Sequence, residues 1–129
     1  EQPDFKGVNV GVVDERSEIC ACHKGIATND VGKRTDILDN CPKAEGIVRL
    51  VRTMAPKVIA VDEIGEKKDY EAIEDALTSG CSIIATIHGK TLDDVKKNIY
   101  LKKSLETGLF ERIIFPMGVH GMNNKVIYI

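Results

Sequence analysis

The chain has 129 residues, enough for one domain that buries roughly two-thirds of its unfolded surface. Eighteen basic against twenty acidic residues leave a net charge of −2, which excludes the electrostatic footprint of a nucleic-acid or anionic-membrane binder. An apolar fraction of 43% and a charged fraction of 29% describe an ordinary soluble globular chain. No apolar run approaches the ~20 residues of a spanning helix, so direct membrane insertion is not expected. Four cysteines without disulfide-framework density point to a reducing cytosol. The chain opens on Glu1 rather than Met, consistent with a piece of a longer polypeptide.

In chain order, residues 1–6 read as a loose lead-in, and 8–13 as a buried strand ending in Asp14, Glu15 and Glu18. Residues 20–42 break into loop or short irregular strands around Gly25, Gly32 and Asn29-Asp30. Pro42 starts a helix with Ile47, Leu50, Val51 and Met54 on its core face. Glu45, Arg49 and Arg52 fall on its opposite face. After Pro56, residues 58–62 form a continuous apolar strand of the kind buried in a parallel sheet, and it runs into Asp62 and Glu63. A helix over 66–79 follows, with Tyr70, Ile73 and Leu77 in register and Gly80 at its end. Residues 81–86 are another strand, leading to Thr86 and His88. Thr91 with Asp94 opens a helix reaching about Thr107. Strands over 111–115 and 125–129 flank a loop with Pro116, Gly118 and Gly121. Strands alternating with helices predict a mostly parallel α/β sheet in a single domain.

In such a sheet the strand ends bearing Asp14/Glu15/Glu18, Asp62/Glu63 and Thr86/His88 lie along one edge, where α/β proteins bind ligands. Two carboxylates at a strand tip suit a hydrated Mg²⁺ on a nucleotide, Asp62 toward the metal and Glu63 toward an attacking water. The plainer alternatives are a strand ending in solvated acids, Glu15 and Glu18 paired with Arg16 or Arg34, His88 as a satisfied strand-end residue, and Arg49 and Arg52 as a solvated helix face. Cys20, Cys22, His23 and Cys41 lack paired C-x-x-C spacing. Buried free thiols are the expected state, with Cys20 and Cys22 on one face of a strand.

The run VGVVDERSE at 10–18 resembles the acidic box of secretion-type ATPases, the motors of type II and type IV systems. Residues 58–63 resemble their Walker B strand, and ATIHG at 85–89 their histidine box. More narrowly, VVDERSEI, NDVGKRTDILD, CPKAEGIVRLVRTMAPKVIAVDEIG and FERIIF are similar to the stage III sporulation protein AA family over roughly residues 8–116. The resemblance implies a RecA-like P-loop NTPase core, a mostly parallel sheet flanked by helices, that hydrolyses ATP with Mg²⁺. It gives Asp62 the metal through water and Glu63 the attacking water. Glu18 and Glu15 become acidic-box residues, and His88 a γ-phosphate sensor beside Thr86. Arg34, Arg49 and Arg52 become phosphate-facing cations, acting within the chain or across a subunit boundary. It further implies a hexamer working with other stage III sporulation membrane proteins, in the mother-cell cytoplasm at the face of a membrane channel.

The phosphate-cradling G-x-x-x-x-G-K-[S/T] run does not occur in these residues; Gly32-Lys33 has Ala at 27 and Arg at 34 where the pattern needs Gly and Ser or Thr. In the family that loop precedes the acidic box, so the chain is expected to lack the first strand, P-loop and following helix of the core and to bind ATP weakly or not at all alone. Two rival readings are a phosphorelay receiver with Asp62 as phosphoacceptor and a catalytically dead oligomerisation module. Against the receiver stand Phe115-Pro116-Met117 in place of a strand-end lysine and no amphipathic helix within 18–40. Retention of Asp62, Glu63 and His88 stands against the dead module.

Overall fold

A computed structural model describes residues 6–116 and 125–128. The loop expected at Gly118 and Gly121 lies outside the described residues. The chain divides into two compact units, the first running to Thr86 and the second starting at Ile87.

The first unit is a four-stranded parallel sheet in the order β2-β1-β3-β4, formed by β1 (Val10–Asp14), β2 (Thr35–Asp39), β3 (Val58–Val61) and β4 (Ser82–Ala85). Val13, Val61 and Ala85 stand level across the three neighbouring strands, and Asp14 stands level with Asp39. All four strands therefore deliver their next residues to one carboxyl edge. Short runs of Val and Ile suit strands covered by neighbours, and Val13, Ile59 and Val61 are at most 2% exposed. Two helices, α1 (Lys43–Thr53) and α2 (Lys67–Thr78), pack against each other and against these strands.

The close approach of α1 to β1 depends on two glycines. A Cβ on Gly11 would stand 2.7 Å from Leu50 Cδ1, and one on Gly46 would stand 2.5 Å from Val13 Cγ1. Each partner thus fills the space the other element's glycine leaves. Ile47 and Leu50 are fully buried, and burying each such side chain contributes about 1.5–3 kcal/mol. The stripe is narrower than expected, with Val51 half-buried and Met54 exposed beyond the last turn. In α2 the buried positions are Asp69, Tyr70, Ala72, Ile73 and Ala76, with Leu77 only half-buried. Its start is a capping box between Glu66 and Asp69, and Gly80 follows it at φ +91°.

Two differences from the sequence-based expectations concern the first unit. Residues 35–39, expected within an irregular stretch, form a regular edge strand parallel to β1. The connection between these parallel strands, residues 15–34, contains no helix, only turns and a His23–Ile26 bridge. The segment from Cys20 to Cys22 is also not a strand, and Ala21 sits at φ +48°.

In the second unit the single helix expected over 91–107 is two, α3 (Leu92–Lys96) and α4 (Ile99–Glu106). Thr91 caps the first by accepting from the Asp94 N–H. Asn98 restarts the chain by accepting from the N–H groups of Tyr100 and Leu101 at 3.0 and 3.1 Å. Strands β5 (Arg112–Phe115) and β6 (Lys125–Tyr128) pair antiparallel with each other, separate from the parallel sheet.

Candidate active site at the carboxyl edge of the sheet

Three carboxylates that look alike in sequence have different work here. Asp14, the last residue of β1, is fully buried and its carboxylate accepts three backbone N–H groups, from Glu18 (2.9 Å), Ile19 (3.1 Å) and Cys20 (2.8 Å). It ties down the turn that carries Glu15 and Glu18. Asp69, 2% exposed, likewise accepts from Gly65 (3.1 Å) and Glu66 (3.0 Å) and fixes the loop between β3 and α2. Asp62, at the tip of β3, is 8% exposed, and its Oδ1 has no hydrogen-bond partner among the described residues. An unpaired buried acceptor is costly, so an oxygen left in this state is ready for a donor or cation from outside.

Glu63 is exposed and adopts φ +40°, a backbone conformation that costs a non-glycine residue about 1–2 kcal/mol. It is held there from β4, its N–H donating to Thr86 Oγ1 at 2.9 Å while Ile64 N–H donates to the Thr86 carbonyl at 2.9 Å. The turn aims Asp62 inward and Glu63 outward. Arg16 meets Glu63 at 3.4 Å in a pair exposed on both sides, which contributes little to stability. Thr86 thus serves the Glu63 backbone as an acceptor and retains its hydroxyl proton for donation.

Glu15 is half-buried and forms an ion pair with Lys43, the first residue of α1, whose side chain is only 15% exposed. Burial pushes the Lys43 ammonium down, but the Glu15 hydrogen bond and charge, with Asp69 and Asp62 behind them, outweigh this and hold it above the usual lysine range. Lys43 was not among the residues expected here. The signal for it lies in the topology, since a helix entered from the end of β2 starts at the carboxyl edge. Glu18 is exposed beside the Asp14 turn.

The three expected arginines do not gather at this edge. Arg34 precedes β2, at the opposite, amino edge, and its guanidinium donates to the Gly7 carbonyl at 2.5 Å. Arg49 pairs with Glu45 at 2.7 Å along the exposed face of α1. Arg49 and Arg52 line an open groove of about 500 Å³ with Lys68, Glu71 and Asp75 of α2. Because α1 runs from the end of β2 back to the start of β3, its last turn points away from the carboxyl edge. His88 belongs to the second unit and is exposed in the segment before α3. Cys20 and Cys41 are buried free thiols and Cys22 is half-buried; burial, then the charge of Asp14, pushes Cys20 up to about 11.

Among the described residues no three His, Cys, Asp or Glu side chains converge as a metal cage. A cation at Asp62 would be held by few protein ligands and by water or phosphate, as Mg²⁺ on a nucleotide usually is. The orphaned Asp62 oxygen fits that group.

The parallel sheet flanked by helices has the fold of a P-loop ATPase core. The Legionella pneumophila ATPase DotB has this fold: its X-ray structure matches over 84% of the chain and 32% of its own, with a TM-score of 0.57 at 15% identity. The model of the family described as sporulation stage III, protein AA matches residues 2–128. Stage III sporulation protein AA of Bacillus subtilis (strain 168) is 45% identical over 107 residues, 83% of the chain. The chain belongs to the sporulation stage III protein AA family. It spans 35% of the length of that curated relative.

The strand order β2-β1-β3-β4 also occurs in flavodoxin-like receivers. Here, however, the connection between β1 and β2 has no helix, and β5 pairs antiparallel with β6 instead of extending the parallel sheet.

Proposed function

We propose that this chain is part of an ATP-hydrolysing motor domain that works on a membrane-associated assembly during sporulation. The observation that carries the reading is the buried Asp62 oxygen without a partner, beside an outward Glu63 whose backbone is held in a strained turn by Thr86. In this reading Asp62 holds Mg²⁺ through water, the ion supplying charge neutralisation of the phosphates. Glu63 orients and deprotonates the attacking water, and Thr86 positions Glu63. Glu15 and Glu18 complete the acidic rim, and His88 senses the terminal phosphate. Arg34, Arg49 and Arg52 lie away from Asp62 in the first unit, so their phosphate role is assigned to a neighbouring subunit of a homo-hexamer. The family description supports a role in stage III of sporulation; other stage III membrane proteins as partners and a mother-cell site at the membrane face follow from the same reading. No helix of the described residues is long and apolar enough to cross a membrane.

The test uses the polypeptide encoded by the whole gene. Glu63→Gln should keep nucleotide binding and lose turnover by about 10²–10⁴-fold, the usual worth of a general base. Undiminished turnover would remove Glu63 from the chemistry.

A further inference from the structure

We propose that Arg16 is a positioning residue for the water-activating glutamate: its guanidinium holds Glu63 Oε2 across the carboxyl edge, so that Oε1 is kept in place and open to the attacking water. This rests on the reading of Glu63 as the general base.

A glutamate has three rotatable side-chain bonds, and an exposed one samples many rotamers unless its end is held. A general base must stay within hydrogen-bond reach of its water, and a misplacement of about 1 Å costs about 10²-fold. Glu63 is fixed at its root, where its N–H donates to Thr86 Oγ1. That bond does not fix the carboxylate. Among the described residues the carboxylate meets Arg16, whose Nη1 donates to Oε2 at 3.4 Å, and Oε1 has no hydrogen bond. A bidentate guanidinium would engage both oxygens, whereas this single contact leaves the lone pairs of Oε1 for the proton taken from water.

Arg16 has the anchorage for such a hold. Val13 of β1 stands level with Val61 of β3, so Arg16 and Glu63 lie on the turns that leave adjacent strand ends. The Arg16 turn is fastened by the Asp14 carboxylate, which accepts the N–H groups of Glu18, Ile19 and Cys20. Ser17 sits at φ +57°, and its hydroxyl donates to Asp39 Oδ1. Two backbones held in the left-handed region, at Ser17 and at Glu63, are thus joined by one side-chain pair. Fold stability does not explain that pair, because Arg16 is 65% and Glu63 46% exposed and such pairs contribute little. The pair is also neutral as a unit. Its effect is on where the carboxylate points, not on the charge offered to a phosphate.

The test uses the polypeptide encoded by the whole gene. Arg16→Gln should lower kcat for Mg-ATP about 10–10²-fold and leave KM within about twofold. Arg16→Lys keeps a donor and should recover kcat to within about fivefold of the parent. Arg16→Met carries the same expectation as Arg16→Gln and replaces it if the glutamine variant loses the parent's thermal transition. Without nucleotide, ¹³C relaxation at the Glu63 Cγ methylene, identified by its loss in Glu63→Gln, should report a restricted side chain that becomes free in Arg16→Gln. Arg16→Gln combined with Glu63→Gln should match Glu63→Gln alone in turnover and nucleotide affinity, since nothing is left to position. Unchanged kcat or unchanged relaxation in Arg16→Gln, with Glu63→Gln still losing turnover, overturns the role of Arg16 and leaves Glu63 in place. Weaker nucleotide binding or a further loss of turnover in the Glu63→Gln background overturns it too, because Arg16 then acts on the ligand directly. Undiminished turnover in Glu63→Gln overturns the Glu63 reading and the inference together.

Discussion

Asp14 lies at the end of β1 and Asp62 just past the neighbouring β3, and exchanging each for asparagine should cost stability at Asp14 and little or none at Asp62. The Asp14 carboxylate is fully buried and accepts three N–H groups at 2.8 to 3.1 Å. Hydrogen bonds to a charged partner contribute about 1.5–3 kcal/mol each. Asparagine keeps one acceptor oxygen but turns an amide nitrogen toward N–H donors, most damagingly at Ile19 and Cys20, which share Oδ2. Water reaches the exposed Glu18 end and recovers part of the loss, so the net cost is about 3–5 kcal/mol. For a small domain with 5–15 kcal/mol in total this is severe; at about 1–3 kcal/mol per molar urea it lowers the midpoint by roughly 2 M. At Asp62 asparagine gives up a charge whose Oδ1 has no partner, so that variant should stay within about 0.5 kcal/mol of the parent or exceed it. The assay is urea denaturation followed by circular dichroism. An Asp14→Asn midpoint equal to the parent's, or an Asp62→Asn loss as large as that of Asp14→Asn, would refute the division of labour between the two acids.

The remaining predictions concern packing and pH. Gly46→Ala should gain about 1 kcal/mol of helix propensity and lose about 1–3 kcal/mol to the 2.5 Å approach on Val13 Cγ1, a net loss that Val13→Ala in the same chain should reduce in a thermal-denaturation double-mutant cycle. In alkaline solution Cys20, raised to about 11, and Tyr70, raised to about 12 by burial and then Asp69, both favour the protonated folded form. Their contribution is full below the unfolded-state values of 9.0 and 10.0 and is lost as pH rises through the folded ones. Stability should therefore fall from about pH 9 onward, and Cys20→Ala should flatten the pH 9–11 part of a denaturation series.

The strands with one apolar message, 10–14 and 58–61, were legible because burial on both faces leaves them no polar alternation to imitate a helix. The strand Thr35–Asp39 was not, since TDILD carries two acids in five residues and is legible only once β1 supplies an edge to pair with. The break between α3 and α4 follows the same logic. Polar continuity through 91–107 reads as one helix, and only the Asn98 side chain, capping two N–H groups, marks the restart. Of the candidate site, Asp62, Glu63 and Thr86 come together because they follow adjacent parallel strands. Arg34, Arg49 and Arg52 were grouped with them by the family pattern, and chain direction separates them, since Arg34 precedes its strand and α1 carries Arg52 away from the edge.

An Asp after an apolar strand is therefore an incomplete message. After β1 the chain turns back at Ser17, φ +57°, and presents three N–H groups to Asp14, which becomes a fastening for the acidic rim. After β3 the chain turns at Glu63, φ +40°, and the N–H groups of Glu63 and Ile64 go to Thr86 instead. Those of Gly65 and Glu66 go to Asp69. The N–H groups of residues 63–66 go to Thr86 and Asp69 rather than to Asp62. The open oxygen at Asp62 is thus a product of Thr86 and Asp69 as much as of Asp62 itself, and the strain at Glu63 is part of how it is kept open.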